Sequence, residues 1–179
     1  MLFRSLLFRT DDQEAGNADI LAIRPGVDTV ARALVATPAE ELSPAVSPDN
    51  RWMAYSSNES GRREIYVRPF PDAGGSRFQV STSGGTNPVW NRNGRELFYL
   101  DAALNMVSVP VTLGATFQSG AQRILFPAAQ YASLPFFRQY DVTADGQRFV
   151  MIRGESDAVV HVVVVFNFLE ELRRRMASP

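Results

Sequence analysis

Three stretches decide the fold: Val46-Ser47-Pro48-Asp49-Asn50-Arg51-Trp52-Met53-Ala54-Tyr55, Trp90-Asn91-Arg92-Asn93-Gly94-Arg95-Glu96-Leu97-Phe98-Tyr99 and Val142-Thr143-Ala144-Asp145-Gly146-Gln147-Arg148-Phe149-Val150-Met151. They align without gaps, each as a short strand, a turn and a second strand. Their turn pairs are Asp49-Asn50, Asn93-Gly94 and Asp145-Gly146. Asn-Gly and Asp-Gly signal two-residue type I′ hairpins, because both central residues of that turn take positive φ, and Asp-Asn is a tolerable variant. The first two pairs lie 44 residues apart and the next two 52. A period of roughly 40–50 residues with several strands per unit is that of a β-propeller blade.

Each unit extends beyond its hairpin. Glu64-Ile65-Tyr66-Val67-Arg68 and Arg77 to Ser81 follow the first complete hairpin, and Asn105 to Val109 and Arg123 to Phe126 follow the second. Upstream, Ser5 to Arg9, Asp19 to Pro25 and Arg32 to Thr37 supply strands of a unit whose first strand and hairpin turn are missing, so the chain is expected to begin inside a blade. Downstream, Val159 to Phe166 reads as a strand. Leu169, Leu172 and Met176 then recur at helical spacing, with Glu early and Arg late. The expected fold is therefore all-β: a partial β-propeller of about three and a half four-stranded antiparallel blades over 1–166, with units near 1–43, 44–86, 87–138 and 139–166. A short amphipathic helix and tail are expected at 167–179.

Composition excludes several functions. With 45% hydrophobic and 21% charged residues the chain is too apolar to be disordered. Eighteen cations, all arginine, against 19 acidic residues give a net charge of -1, so no bulk attraction to nucleic acid is expected. Zero cysteines exclude thiolate chemistry and zinc clusters, and one histidine, His161, excludes a multi-histidine metal site. The longest apolar run, Ala158 to Phe166, is far shorter than the ~20 residues of a membrane helix, so no direct membrane insertion is expected.

Ser47-Pro48-Asp49-Asn50-Arg51, the Asn58-Glu59-Ser60-Gly61 turn, Glu64-Ile65-Tyr66-Val67-Arg68-Pro69-Phe70-Pro71 and Val89 to Tyr99 resemble TolB-like, WD-like propeller repeats with a Ser-Pro-Asp-Gly-Arg signature. Their order, followed by a Val-rich strand and Glu170-Glu171-Leu172, is similar to the C-terminal propeller of bacterial transmembrane serine/threonine kinases. The likeness spans about 44–176 well and 1–43 weakly. Asn50 replaces the usual Gly, Arg92 and Ala144 the usual Pro, and Asn93 the usual Asp. The resemblance implies a sensing or protein-binding platform, extracytoplasmic in a membrane-anchored parent, with catalysis in a separate domain.

Nothing in the sequence assembles a catalytic constellation. There is no lysine, no His-Arg-Asp and no Asp-Phe-Gly for a kinase. The Gly-x-Ser-x-Gly elbow of a prolyl-oligopeptidase-type hydrolase is also absent, and His161 reads as a half-buried strand residue. Asp11, Asp12, Glu14, Asn17 and Asp19 hint at a calcium loop, but Gln13, Ala15 and Ala22 break the EF-hand pattern, leaving a solvated blade loop. Gly84-Gly85 reads as a link between blades, and Arg173-Arg174-Arg175 as a solvated helix end. Trp52, Tyr55, Trp90, Phe98 and Tyr99 read as inter-blade core, and Asp49, Asn93 and Asp145 as turn organisers.

No catalytic, cofactor-binding or metal-binding residue is thus assigned, and no cofactor is expected. The expected function is non-catalytic binding or sensing of a protein or small ligand at the propeller face or channel. The alternative is a detached C-terminal fragment of a larger kinase or peptidase, without activity of its own. Two half-rings could close as a homodimer.

Overall fold

The computed structural model describes residues 5–10, 17–131 and 138–152. The expected strand at Val159 to Phe166, His161, the C-terminal helix and Arg173 to Arg175 lie outside them, as do Asp11, Asp12 and Glu14.

The described residues are all-β, in antiparallel sheets that follow the repeat. The first sheet has β1 (Leu6–Arg9), β2 (Ile20–Ile23) and β3 (Arg32–Val35) in that order. The second runs β4 (Glu41–Val46), β5 (Trp52–Ser57), β6 (Glu64–Pro69) and β7 (Phe78–Gln79). In the third, β8 (Thr86–Trp90), β9 (Glu96–Leu100) and β10 (Asn105–Leu113) are followed by two short strands, β11 (Phe117–Ser119) and β12 (Arg123–Pro127), which both pair with β10. The pair β13 (Tyr140–Val142) and β14 (Phe149–Met151) forms the last. The sequence reading missed β11: β10 runs past Pro110, and its extension pairs Val111 with Ser119 and Leu113 with Phe117.

Side-chain alternation explains how the sheets stack. On β5, Trp52 and Ala54 enter a core shared with Trp90, Leu97 and Tyr99 of the third sheet. The intervening Met53 and Tyr55 pack instead against Ile20, Leu34 and Val35 of the first. On β9, Leu97 and Tyr99 face the second sheet, while Phe98 and Leu100 pack with Tyr140 and Val142 of the last. A strand buried on both faces needs apolar residues at consecutive positions, which is the Trp52 to Tyr55 and Leu97 to Leu100 pattern.

The hairpin turns differ from the two-residue type I′ expectation in all three repeats. Only the second residue of each pair has positive φ: Asn50 at 57°, Gly94 at 71° and Gly146 at 72°. The amide of that residue donates to the carbonyl three residues back, Asn50 to Ser47, Gly94 to Asn91 and Gly146 to Thr143, at 2.8–2.9 Å. The loop is a four-residue connection, closed by the Ser47, Asn91 and Thr143 amides bonding the carbonyls of Trp52, Glu96 and Arg148. The left-handed residue falls at the end of the first turn, so one Gly or Asn per repeat suffices.

Candidate functional site

The residue before each left-handed position organises its turn. Asp49 Oδ1 accepts the Arg51 amide at 3.1 Å, Asn93 Oδ1 the Arg95 amide at 2.9 Å and Asp145 Oδ1 the Gln147 amide at 3.0 Å. The Ser47 hydroxyl donates to Asp49 and receives the Trp52 amide, and Thr143 repeats both contacts with Asp145 and Arg148. Those donors hold the Asp145 carboxyl below the usual carboxylate range, the Thr143 hydroxyl first and the Gln147 amide next.

The five aromatic candidates do not form a stacking platform. Trp52, Tyr55, Trp90, Phe98 and Tyr99 are all at most 6% exposed. Burial pushes the Tyr55 hydroxyl up to about 12, and raises those of Tyr99 and Tyr140 as well. Trp90 ties two sheets together through its Nε1, which donates to the Ala45 carbonyl at 2.9 Å.

The sequence reading missed an inner seam. Ser43 and Asn87 sit in the first strands of their sheets with φ of 53° and 54°. Each lies at a register shift, between Leu42 and Ala45 in β4 and between Thr86 and Val89 in β8. The Ser43 hydroxyl donates to Asn87 Oδ1 at 3.0 Å, and the Asn87 carbonyl accepts the Tyr140 hydroxyl at 2.7 Å. A signal was present: Ser43-Pro44 and Asn87-Pro88 share the 44-residue offset of the turn pairs. The Gly84-Gly85 link caps Glu64, a buried carboxylate that accepts the Gly84 amide at 3.1 Å as well as the Ser81 hydroxyl and the Arg62 guanidinium.

One surface open to a partner lies at the hairpin tips. Pro48 and Asp49 of one tip and Asn93, Gly94 and Arg95 of the next, with Val111 to Leu113, line an open cleft of about 500 Å³. The third tip adjoins them, since a Cβ at Gly146 would meet Asn91 Nδ2 at 2.2 Å. Arg51, Arg92, Arg95 and Arg148 are exposed on these tips. Away from the tips Arg24 is engaged by Asp28, Arg63 by Glu40, Arg77 by Glu59 and Arg68 by Tyr55, while the exposed Arg123 and Arg138 hold no guanidinium hydrogen bond among the described residues. The guanidinium groups of Arg92, Arg95 and Arg148 hold no hydrogen bond among the described residues, and Arg51 reaches only the Gly114 carbonyl, at 2.9 Å. No group of three or more acidic or histidine side chains placed to hold a metal occurs among the described residues.

Stacked antiparallel sheets with repeat-related hairpins define a β-propeller fold, although among the described residues the sheets have three, four, five and two strands and not four in each blade as expected; solved propeller structures share the fold. A "putative TolB" from Agrobacterium tumefaciens matches 68% of this chain and 46% of its own length, with a TM-score of 0.50 and 17% identity. A "putative 6-phosphogluconolactonase" from Bacteroides uniformis matches 81% and 43%, with a TM-score of 0.51 and 12% identity. In sequence, dipeptidyl aminopeptidase BI of Pseudoxanthomonas mexicana is 40% identical over 57 residues, 31% of this chain and 8% of that protein. The chain spans less than half the length of each of these proteins. No family model matches it. No helix among the described residues is long and apolar enough to cross a membrane.

Proposed function

We propose that the chain is a non-catalytic recognition module that docks a carboxylate-bearing protein segment on its hairpin-tip face. The observation that carries this is the set of exposed guanidinium groups on adjoining tips, of which Arg92, Arg95 and Arg148 hold no hydrogen bond among the described residues, in a chain of net charge -1 whose aromatic candidates are consumed by the core. Arginine forks match carboxylates in geometry and charge, and loops held by a rigid sheet scaffold are where propellers present binding groups. Binding of a polyglutamate peptide, compared between the natural chain and a double Arg51→Glu, Arg95→Glu variant, tests it.

A second reading is favoured by the 57-residue likeness to a peptidase covering 8% of that protein. Here the chain is the propeller portion of a larger peptidase or serine/threonine kinase, whose chemistry lies in another, extracytoplasmic or membrane-anchored part. A kinase or hydrolase reading frame continuous with the codon for Met1 supports this reading, and a stop codon and promoter there oppose it. A free-standing chain of about three and a half blades would complete a ring as a homodimer, since closed propellers have about 4–8 blades.

A further inference from the structure

The seam between the first two sheets encloses a carboxyl group, that of Glu41, at a position that is glycine in the neighbouring seam. Glu41 and Gly85 are backbone equivalents: the Glu41 amide donates to the Ala18 carbonyl at 2.7 Å, and the Gly85 amide to the Arg63 carbonyl at 2.8 Å. Each stands two residues before a left-handed bulge, Ser43 or Asn87. At Gly85 a Cβ would lie 2.6 Å from Ile65 Cγ1, so no side chain fits there. At Glu41 a whole carboxyl group is enclosed, with 0% exposure.

Its hydrogen bonds fix its character. The Thr37 hydroxyl receives the Ala39 amide and the Ser57 hydroxyl receives that of Glu59, so both donate their protons to Glu41 Oε1, at 2.6 and 3.4 Å. Two hydroxyl donors on one oxygen favour the ionised form. Glu41 Oε2 and Asp19 Oδ1 are buried without a hydrogen-bond partner among the described residues. Burial, and to a lesser extent the like charge of Asp19, raises the Glu41 carboxyl above the usual carboxylate range. A buried carboxyl group beside a half-buried one, each with an unpartnered oxygen and with no counter-charge bonded to either oxygen among the described residues, is incomplete.

We propose that Asp19 and Glu41 bind one hard cation of the calcium class in this seam. The donors are all oxygen, which suits calcium, and an irregular seam suits its flexible coordination better than the strict octahedron of magnesium. Carbonyl oxygens and water would complete the shell. With two carboxylates the expected Kd is about 10⁻⁴–10⁻³ M, the weak end of the protein range.

Calorimetric titration of the full chain with calcium chloride tests the site. The natural chain is expected to bind one ion saturably, with magnesium weaker, and Glu41→Gln and Asp19→Asn each to weaken calcium binding at least roughly tenfold. In chelator, Glu41→Gln should melt no lower than the natural chain, and its Tm should not rise with calcium. If that variant fails to fold, Asp19→Asn and Glu41→Gly carry the comparison. No saturable binding by about 10 mM calcium, or unchanged binding in the variants, overturns the proposal. So does a melting temperature that responds to pH and not to calcium, which would assign a shared proton to the pair.

Discussion

The Ser43 hydroxyl and the Asn87 side-chain carbonyl meet at 3.0 Å across 44 residues of sequence, each from a left-handed bulge in the first strand of its sheet. Asn87 is 2% exposed, so its amide has little water to fall back on. Replacing Asn87 by Ala removes the acceptor and places a less tolerant residue at positive φ, with an expected loss of about 1–3 kcal/mol. Asn87→Gly keeps the backbone and should lose less. Urea denaturation of the two variants separates the side-chain bond from the conformational cost.

Asn50 occupies the position that Gly94 and Gly146 fill in the other two hairpins, at φ 57°. Asn50→Gly should stabilise the chain slightly, by up to about 1 kcal/mol, and Asn50→Ala should destabilise it by about as much or more. Thermal melts decide the sign. Equal effects of Gly and Ala would contradict the turn assignment.

At the blade junction, Gly85→Ala brings a methyl group to within 2.7 Å of Ser81 Oγ, the hydroxyl that receives the Ile65 amide at 2.7 Å and donates to Glu64. An expected cost of about 1–3 kcal/mol follows from forced displacement in a packed site. Gly74→Ala, with nothing within 4 Å of its Cβ, is the control and should be near neutral.

Alkaline pH should unfold the chain through its tyrosines. Burial raises the hydroxyls of Tyr55, to about 12, and of Tyr99 and Tyr140. A raised acid contributes stability that is complete below the unfolded value near 10 and is lost as pH climbs toward the folded one. Stability should therefore fall from about pH 10 upward, and an ultraviolet titration of the phenols should show Tyr55, Tyr99 and Tyr140 ionising late, together with unfolding. Late ionisation vanishing in Tyr140→Phe without loss of fold would isolate that residue's share.

The repeat was legible because hairpin chemistry is local. Asn93-Gly94 and Asp145-Gly146 announce a turn, and the apolar runs Trp52 to Tyr55 and Leu97 to Leu100 announce strands covered on both faces. The turn geometry was misjudged, since a four-residue loop needs the same Asn-Gly as a two-residue one but only one positive φ. Ser43, Asn87 and Glu41 were not recognised, because their meaning is set by what packs across a seam: Asn87 by Ser43 and Tyr140, Glu41 by Ala18, Thr37 and Ser57. Strand β11 was missed because the sequence reading ended its partner strand at Val109, before Pro110, whereas β10 runs on to Leu113 and turns back on itself through Gly114.

The most direct test of the binding account is fluorescence anisotropy of a labelled polyglutamate peptide against the natural chain and the Arg51→Glu, Arg95→Glu double variant. Saturable binding that weakens with added salt and falls at least roughly tenfold in the variant is the predicted result. Absence of binding at low salt, or binding indifferent to the two substitutions, would contradict a carboxylate-recognising hairpin face.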